Sequence, residues 1–252
     1  MTRALTRTNL HSSQLIRILA DLAVLEATEP SAALGEKLGL WIDFADAIAL
    51  TRVHNASLPV APTAVQAAAC LSAHDEFTKT RSSLEGIVVK SSSPNTGRTR
   101  AELSMPKLDL PLEDAKVYTP FRRYHQAHQR DMENNVRSVR AKLRESVSAA
   151  SPKLQQLVAL DAAFDGILVE REARLLSTIP SLMEKRFHQL RKAHLLTQPT
   201  DNNPDLWMKP GAWLARFCTE LQTVLMAELD LRLQPAVGLL EALHNEKTLQ
   251  PV

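Results

Sequence analysis

His125 and His128 stand three residues apart, and Asp131 follows three further on. Positions i and i+3 share a helix face, so these side chains have the spacing to converge on a cation. A firm zinc site needs third and fourth ligands, which an HExxH motif or a CxxC pair would help supply, and neither is present. A surface pair, solvated or packed, is therefore the expectation, and no metal is assigned. His188 and His194 are six apart and share no close face. Asp161, Asp165, Glu170 and Glu172 crowd one segment. A general acid–base pair would need them in a concave pocket, which a sequence does not show. A ferritin-like carboxylate cluster would need Glu-x-x-His pairs from facing helices, and no such set is found. Asp161, Asp165 and Glu172 are expected instead to form interhelical ion pairs with the Arg-rich segment before them. Gly35, Gly39 and Gly86 do not have the spacing of a phosphate loop, a dinucleotide fingerprint or a nucleophile elbow. No catalytic residue and no cofactor is assigned.

Two surfaces for binding stand out. Residues 120–150 hold seven Arg and Lys against three acids, and Lys185, Arg186, Arg191 and Lys192 follow with only Glu184 nearby. A basic face of Arg130, Arg137, Arg140, Arg144, Arg186 and Arg191 would track a phosphate backbone if the helices align. The acids are interspersed and the net charge is only +2, so nucleic acid is the alternative partner. The other surface is apolar. Trp207, Trp213, Phe217 and Leu221 head an unusually apolar segment, and they are the candidate protein-binding residues.

The elements that would position these residues are helices. The chain has 252 residues, 44% of them hydrophobic but only 4% aromatic, so Leu, Ala, Val and Ile must build the core. Seven glycines stand against roughly 18 in an average chain of this length, too few for a turn-rich β fold. Fourteen prolines punctuate the apolar-periodic runs. Leu15, Ile16, Leu19, Leu22 and Ala23 trace a first helix. Leu34, Leu38, Trp41, Ile42, Ala45 and Ile48 trace a second, with Asp43 and Asp46 pointing elsewhere. Thr119 and Pro120 open a long rod whose apolar stripe runs Phe121, Tyr124, His128, Met132, Val136, Val139, Leu143, Val147. Ser151 and Pro152 repeat that start, and the short link implies an antiparallel hairpin from about 119 to 179. Gly166 is expected to mark a weak point or a close approach. Pro180 ends that run, Ser181 with Glu184 forms the next capping box, and Pro235 separates a final helix.

The expected fold is thus all-α, a helical bundle with a central long antiparallel hairpin. Residues 1–90 form an N-terminal helical region, 91–117 a flexible or irregular loop, and 118–252 the hairpin plus C-terminal helices. Cys70 and Cys218 fall inside helices and are expected as buried thiols rather than a disulfide framework. No run approaches the ~18 apolar residues of a membrane span, and the N-terminus does not read as a signal peptide. The expected location is the cytoplasm, without direct membrane insertion.

Four stretches carry a resemblance. They are Tyr124 to Glu133, Ser151 to Leu157, Leu160 to Phe164, and Ala227 to Pro235. In these the chain resembles, over essentially its whole length, a functionally uncharacterised proteobacterial family of helical proteins close to it in size. The resemblance implies genes beside those for inner-membrane proteins with long coiled coils and for OmpA/MotB-like peptidoglycan-binding proteins. It implies a place at the periphery of an envelope or motor-like complex, through a membrane-protein partner, and it carries no catalytic residue. The expected function is non-catalytic protein binding or scaffolding, with a protein partner or self-association. A helical enzyme whose acids and histidines converge only in three dimensions is the third reading.

Overall fold

The computed structural model describes residues 13–22, 41–55, 66–91, 103–108, 114, 116–197 and 203–249. Among them there are helices and no strand. In chain order these are α1 Gln14–Asp21, α2 Phe44–Asn55, α3 Gln66–Ser91, α4 Thr119–Ser148, α5 Pro152–Leu176, α6 Ile179–Thr197, the single turn α7 Pro204–Trp207, and α8 Trp213–Leu249. The all-α class follows directly.

Local rules place several of these boundaries. The Ser151 hydroxyl accepts the Leu154 amide at 3.2 Å, and Pro152 takes the first helical position. Pro120 sits in the first turn of α4, but Thr119, expected as its cap, is already the first helical residue, and Tyr118 before it makes no side-chain cap bond. Asp43 was expected inside a helix running from residue 34. Instead it starts one: its carboxylate accepts the Asp46 amide at 2.8 Å, and the Asp46 carboxylate accepts the Asp43 amide at 3.1 Å. That reciprocal box satisfies two orphan amides and makes α2 a new helix. Leu34 and Leu38 lie outside the described residues.

Pro180 does not end a run. The turn Ser177–Thr178 closes α5, and Pro180 sits buried in the first turn of α6, where its missing N–H costs nothing. Pro235 does not separate two helices either. α8 runs through it for 37 residues. An interior proline costs about 3 kcal/mol. Here Leu229, Leu233, Ala236, Leu239 and Leu243 are buried on both sides of it, and their packing outweighs that cost. Gly166 is no close-approach site, since a Cβ built there meets nothing within 4 Å.

One core joins all of this. It runs from Leu15 and Leu19 through Phe77, Leu84 and Val88 to Leu243, so the N-terminal helices share it with the C-terminal ones. α8 is its spine and packs most extensively against α4, with α1, α3 and α6 also laid along it. The expected loop 91–117 is partly pinned. Leu103, Leu108 and Val117 are buried, the Met105 amide donates to the Ser91 carbonyl at 2.9 Å, and Ser91 Oγ bonds Tyr124 Oη at 2.7 Å.

α4 and α5 do run side by side in opposite directions. Gln129 reaches the Leu176 carbonyl, while Arg140 and Arg144 reach Asp161 and Asp165. Their seam is ionic, and only Leu154 and Leu176 of α5 are fully buried. The central pair is therefore α4 with α8, and α5 is an outer layer. α2 lies on α5 and buries no side chain fully.

The layering predicts unequal costs of truncation. Phe217→Ala, in the fully buried aromatic cluster, should cost about 3–5 kcal/mol in urea unfolding, whereas Phe164→Ala on α5 should cost less than about 1 kcal/mol.

Candidate functional site

His125 and His128, expected as a surface pair, lie buried inside the bundle. Glu228 on α8 is fully buried, 0% exposed. Its carboxylate accepts from His125 Nε2 at 3.2 Å, from Gln129 Nε2 at 3.0 and 3.2 Å, and from Arg232 Nη2 at 2.8 Å. Gln129 also donates to the Leu176 carbonyl at 2.9 Å, so the network ties α4, α5 and α8 together. Burial opposes ionisation of Glu228, but hydrogen bonding to His125 and the charges of His125 and Arg232 outweigh it, and the carboxyl is held below its usual range. Sequence reading found His125 but missed Glu228. Its only signal was one acid on the track Leu221, Leu225, Glu228, Arg232, otherwise the inner face of α8.

His128 is also buried. Its ring meets Tyr124 edge-on at 4.6 Å, and it bonds the Leu103 backbone. Burial first, then the neighbouring His125, lowers its pKa to about 4; the Leu103 bond and Glu228 act the other way. His125 Nδ1 and His128 Nε2 are buried without a protein partner. Asp131 is half-exposed, and no group of three or more ligating side chains among the described residues is arranged for a metal. Cys218 is a buried free thiol whose pKa is pushed up to about 12 by desolvation. It is not poised as a nucleophile.

The acids and arginines do converge, on a cleft between α4, α5 and α8 lined by Glu133, Arg137, Arg140, Asp165, Glu172 and Arg232. They meet as pairs. Arg140 binds Asp161 and Asp165 at 2.5 and 2.6 Å, Arg144 binds the same two at 2.7 and 2.9 Å, and Arg137 binds Glu133 at 2.6 Å. Arg232 lies 3.9 Å from Glu172, whose pKa burial raises against the pull of Arg232 and Arg140. On α6, Arg186 binds Glu220 at 2.7 Å. So Arg140, Arg144 and Arg186 are balanced between helices, and the expected basic face is not a continuous stripe. Arg130 is exposed and borders a separate cleft with Arg123, Tyr124 and Pro106, while Arg191 is half-buried on α6.

Trp207, Trp213, Phe217 and Leu221 are core residues and not a surface. Phe187, Phe217 and Trp213 stack edge-on at 5.1–5.4 Å, and Trp207 lies 5.9 Å from Trp213. Periodicity identifies an apolar helix face but not what covers it, and here α4, α6 and α7 cover it.

The uncovered apolar side chains lie elsewhere. Phe44 is 82% exposed, Ile48 one turn further along α2 is also exposed, and so is Trp41 just before the helix, while Ile42, Leu50 and Val53 are half-buried. On α5, Leu157, Phe164 and Leu175 are exposed. A further corner exposes Leu196, Leu206 and Met208 beside the tryptophans.

Taken together, these features define an all-α bundle with a buried ionic core and an under-covered outer layer. Over residues 1–245 the chain matches the family described as Protein of unknown function (DUF3348), and it belongs to that family. No curated protein and no solved structure matches it.

Two outcomes test the buried network. His128 takes up its proton in the unfolded chain near pH 6.5 but in the folded chain only near 4, so its stability contribution is complete above pH 6.5 and is lost as pH falls toward 4. Between pH 7 and pH 5 unfolding free energy should fall by about 2 kcal/mol from this group, and His128→Leu should flatten that slope. Glu228→Leu strands Arg232, His125 and Gln129 in the core and should cost about 3–5 kcal/mol in urea titrations at pH 7.

Proposed function

We propose that this protein is a non-catalytic adaptor that binds another protein through the outer layer formed by α2 and α5. The observation that carries the reading is Phe44, left 82% in solvent with Ile48 exposed one turn further on, on a helix with no fully buried side chain. Scattered exposed apolar residues are ordinary. Phe44 and Ile48 one turn apart on α2, with Trp41 exposed just before that helix and a second helix carrying its own exposed apolar residues, have the character of an interface.

The absence of an assembled nucleophile, or of an unpaired acid–base couple in a cleft, among the described residues argues in the same direction. The ion pairs of Arg140, Arg144 and Arg186 lessen the charge available to a phosphate backbone. No helix among the described residues is long and apolar enough to cross a membrane. The resemblance to a proteobacterial family encoded beside inner-membrane coiled-coil and OmpA/MotB-like proteins supplies the setting. In that setting the protein is cytoplasmic and joins an envelope complex through a membrane-anchored partner.

Co-expression with a coiled-coil membrane protein of the kind that the family resemblance implies as a gene neighbour should yield a complex in detergent extract. Phe44→Ser with Ile48→Ser should abolish co-purification without shifting thermal unfolding. A chain that stays monomeric and forms no complex, or a complex indifferent to both substitutions, would sink the proposal.

A further inference from the structure

The protein-binding reading leaves the partner's chemistry open, and α5 narrows it. Leu157, Phe164, Leu168 and Leu175 are spaced by seven, four and seven residues. At about 100° per residue they fall within about 20° of one line, and they span about 27 Å. Leu175 is 58% exposed, Leu157 and Phe164 are also exposed, and Leu168 is half-buried. This is the heptad-like seam by which a helix receives another helix.

The seam has defined banks. Asp161 and Asp165 turn toward α4, where Arg140 and Arg144 hold them. Gln156 turns the other way and donates to the His54 carbonyl of α2 at 2.6 Å. The apolar line therefore runs along the face of α5 between the two neighbours. The banks differ in charge. On the α4 side the carboxylates Asp161 and Asp165 are neutralised by arginines. On the α2 side Lys153, Arg171 and Arg174 follow the seam, with Glu170 the one acid of α5 near them. Lys153 is exposed, with Glu246 3.9 Å away.

We propose, resting on the protein-binding reading, that this face of α5 receives one amphipathic helix of about five turns from a partner protein, with a leucine-type seam and an acidic flank. Apolar side chains entering between Leu157, Phe164, Leu168 and Leu175 supply the adhesion. Glutamates or aspartates opposite Lys153, Arg171 and Arg174 set its orientation and exclude basic helices.

The probe is a fluorescein-labelled 21-residue designed peptide, a length of about six turns, with leucines at the complementary seven-four-seven spacing and glutamates on one flank. Its twin carries lysines instead. Anisotropy with the full chain should show saturable binding of the acidic peptide, at least about tenfold tighter than its twin. Leu175→Glu, at an exposed position that folding tolerates, should weaken it about tenfold, as should Phe164→Glu. Arg171→Glu with Arg174→Glu should invert the preference between the peptides.

Equal binding of the two peptides, no binding, or indifference to Leu175→Glu would overturn the inference. So would concentration-dependent dimerisation abolished by Leu175→Glu, which would make the occupant a second copy. Failure here, with a partner complex still broken by Phe44→Ser and Ile48→Ser, would leave the protein-binding reading standing and remove only the occupant of α5.

Discussion

A carboxylate without water around it is the constraint on which this bundle turns. Glu228 sits at the middle of the seam between α4 and α8, and isolated there it would cost several kcal/mol. Three donors from two helices meet it, and Gln129 carries the tie on to the end of α5. An apolar seam tolerates sliding by a turn. This one does not, because a shift of about 5.4 Å would part Glu228 from His125 and Gln129. The ionic centre thus sets the register in which the leucines on either side interdigitate.

The remaining architecture radiates from that pair of helices. Tyr118, Phe121, Phe187 and Phe217 close one end as a ring cluster, and the Tyr118 hydroxyl donates to the Pro180 carbonyl at 2.8 Å. With so few aromatics in the chain, four of them meet there, and all four are fully buried. The outer helices are held differently. α5 is attached to α4 mainly by Arg–Asp pairs, which fix direction but bury little apolar area. That leaves Phe164 and Leu175 available, and it leaves α2 resting on a helix that is itself only half-covered. The division between a dry inner seam and a partly bare outer layer is the physical basis for regarding the outside, and not the interior, as the functional surface.

Several elements were legible before any coordinates. The start of α5 follows from Ser151–Pro152, because capping and proline chemistry act within one turn, and Pro120 marks the first turn of α4, although Thr119 is already helical and does not cap it. The stripe from Phe121 to Val147 is buried as its spacing requires. The ion pairs of Asp161 and Asp165 with the preceding arginines follow from a short link that forces the two rods antiparallel. Pro235 and Pro180 were misjudged because a proline's cost is local, while the packing that offsets it comes from distant chain. Asp43 was misjudged because a carboxylate on a helix-like pattern reads the same as a capping one until its partner amide is seen.

What the residues alone determined was class and periodicity. Leucine and alanine at helical spacing between proline stops make rods with one face to hide, whatever the partner. What only the assembled structure decided was which faces were hidden. Trp207, Trp213, Phe217 and Leu221 are as apolar as Phe44 and Leu175, yet the first four lie within the core and the last two in solvent. Coverage depends on elements far apart in sequence, and so does the pairing of Glu228 with a histidine 103 residues away. Burial is a property of the packed assembly. A side chain's own chemistry states what it would gain by burial, and the neighbours determine whether that gain is realised.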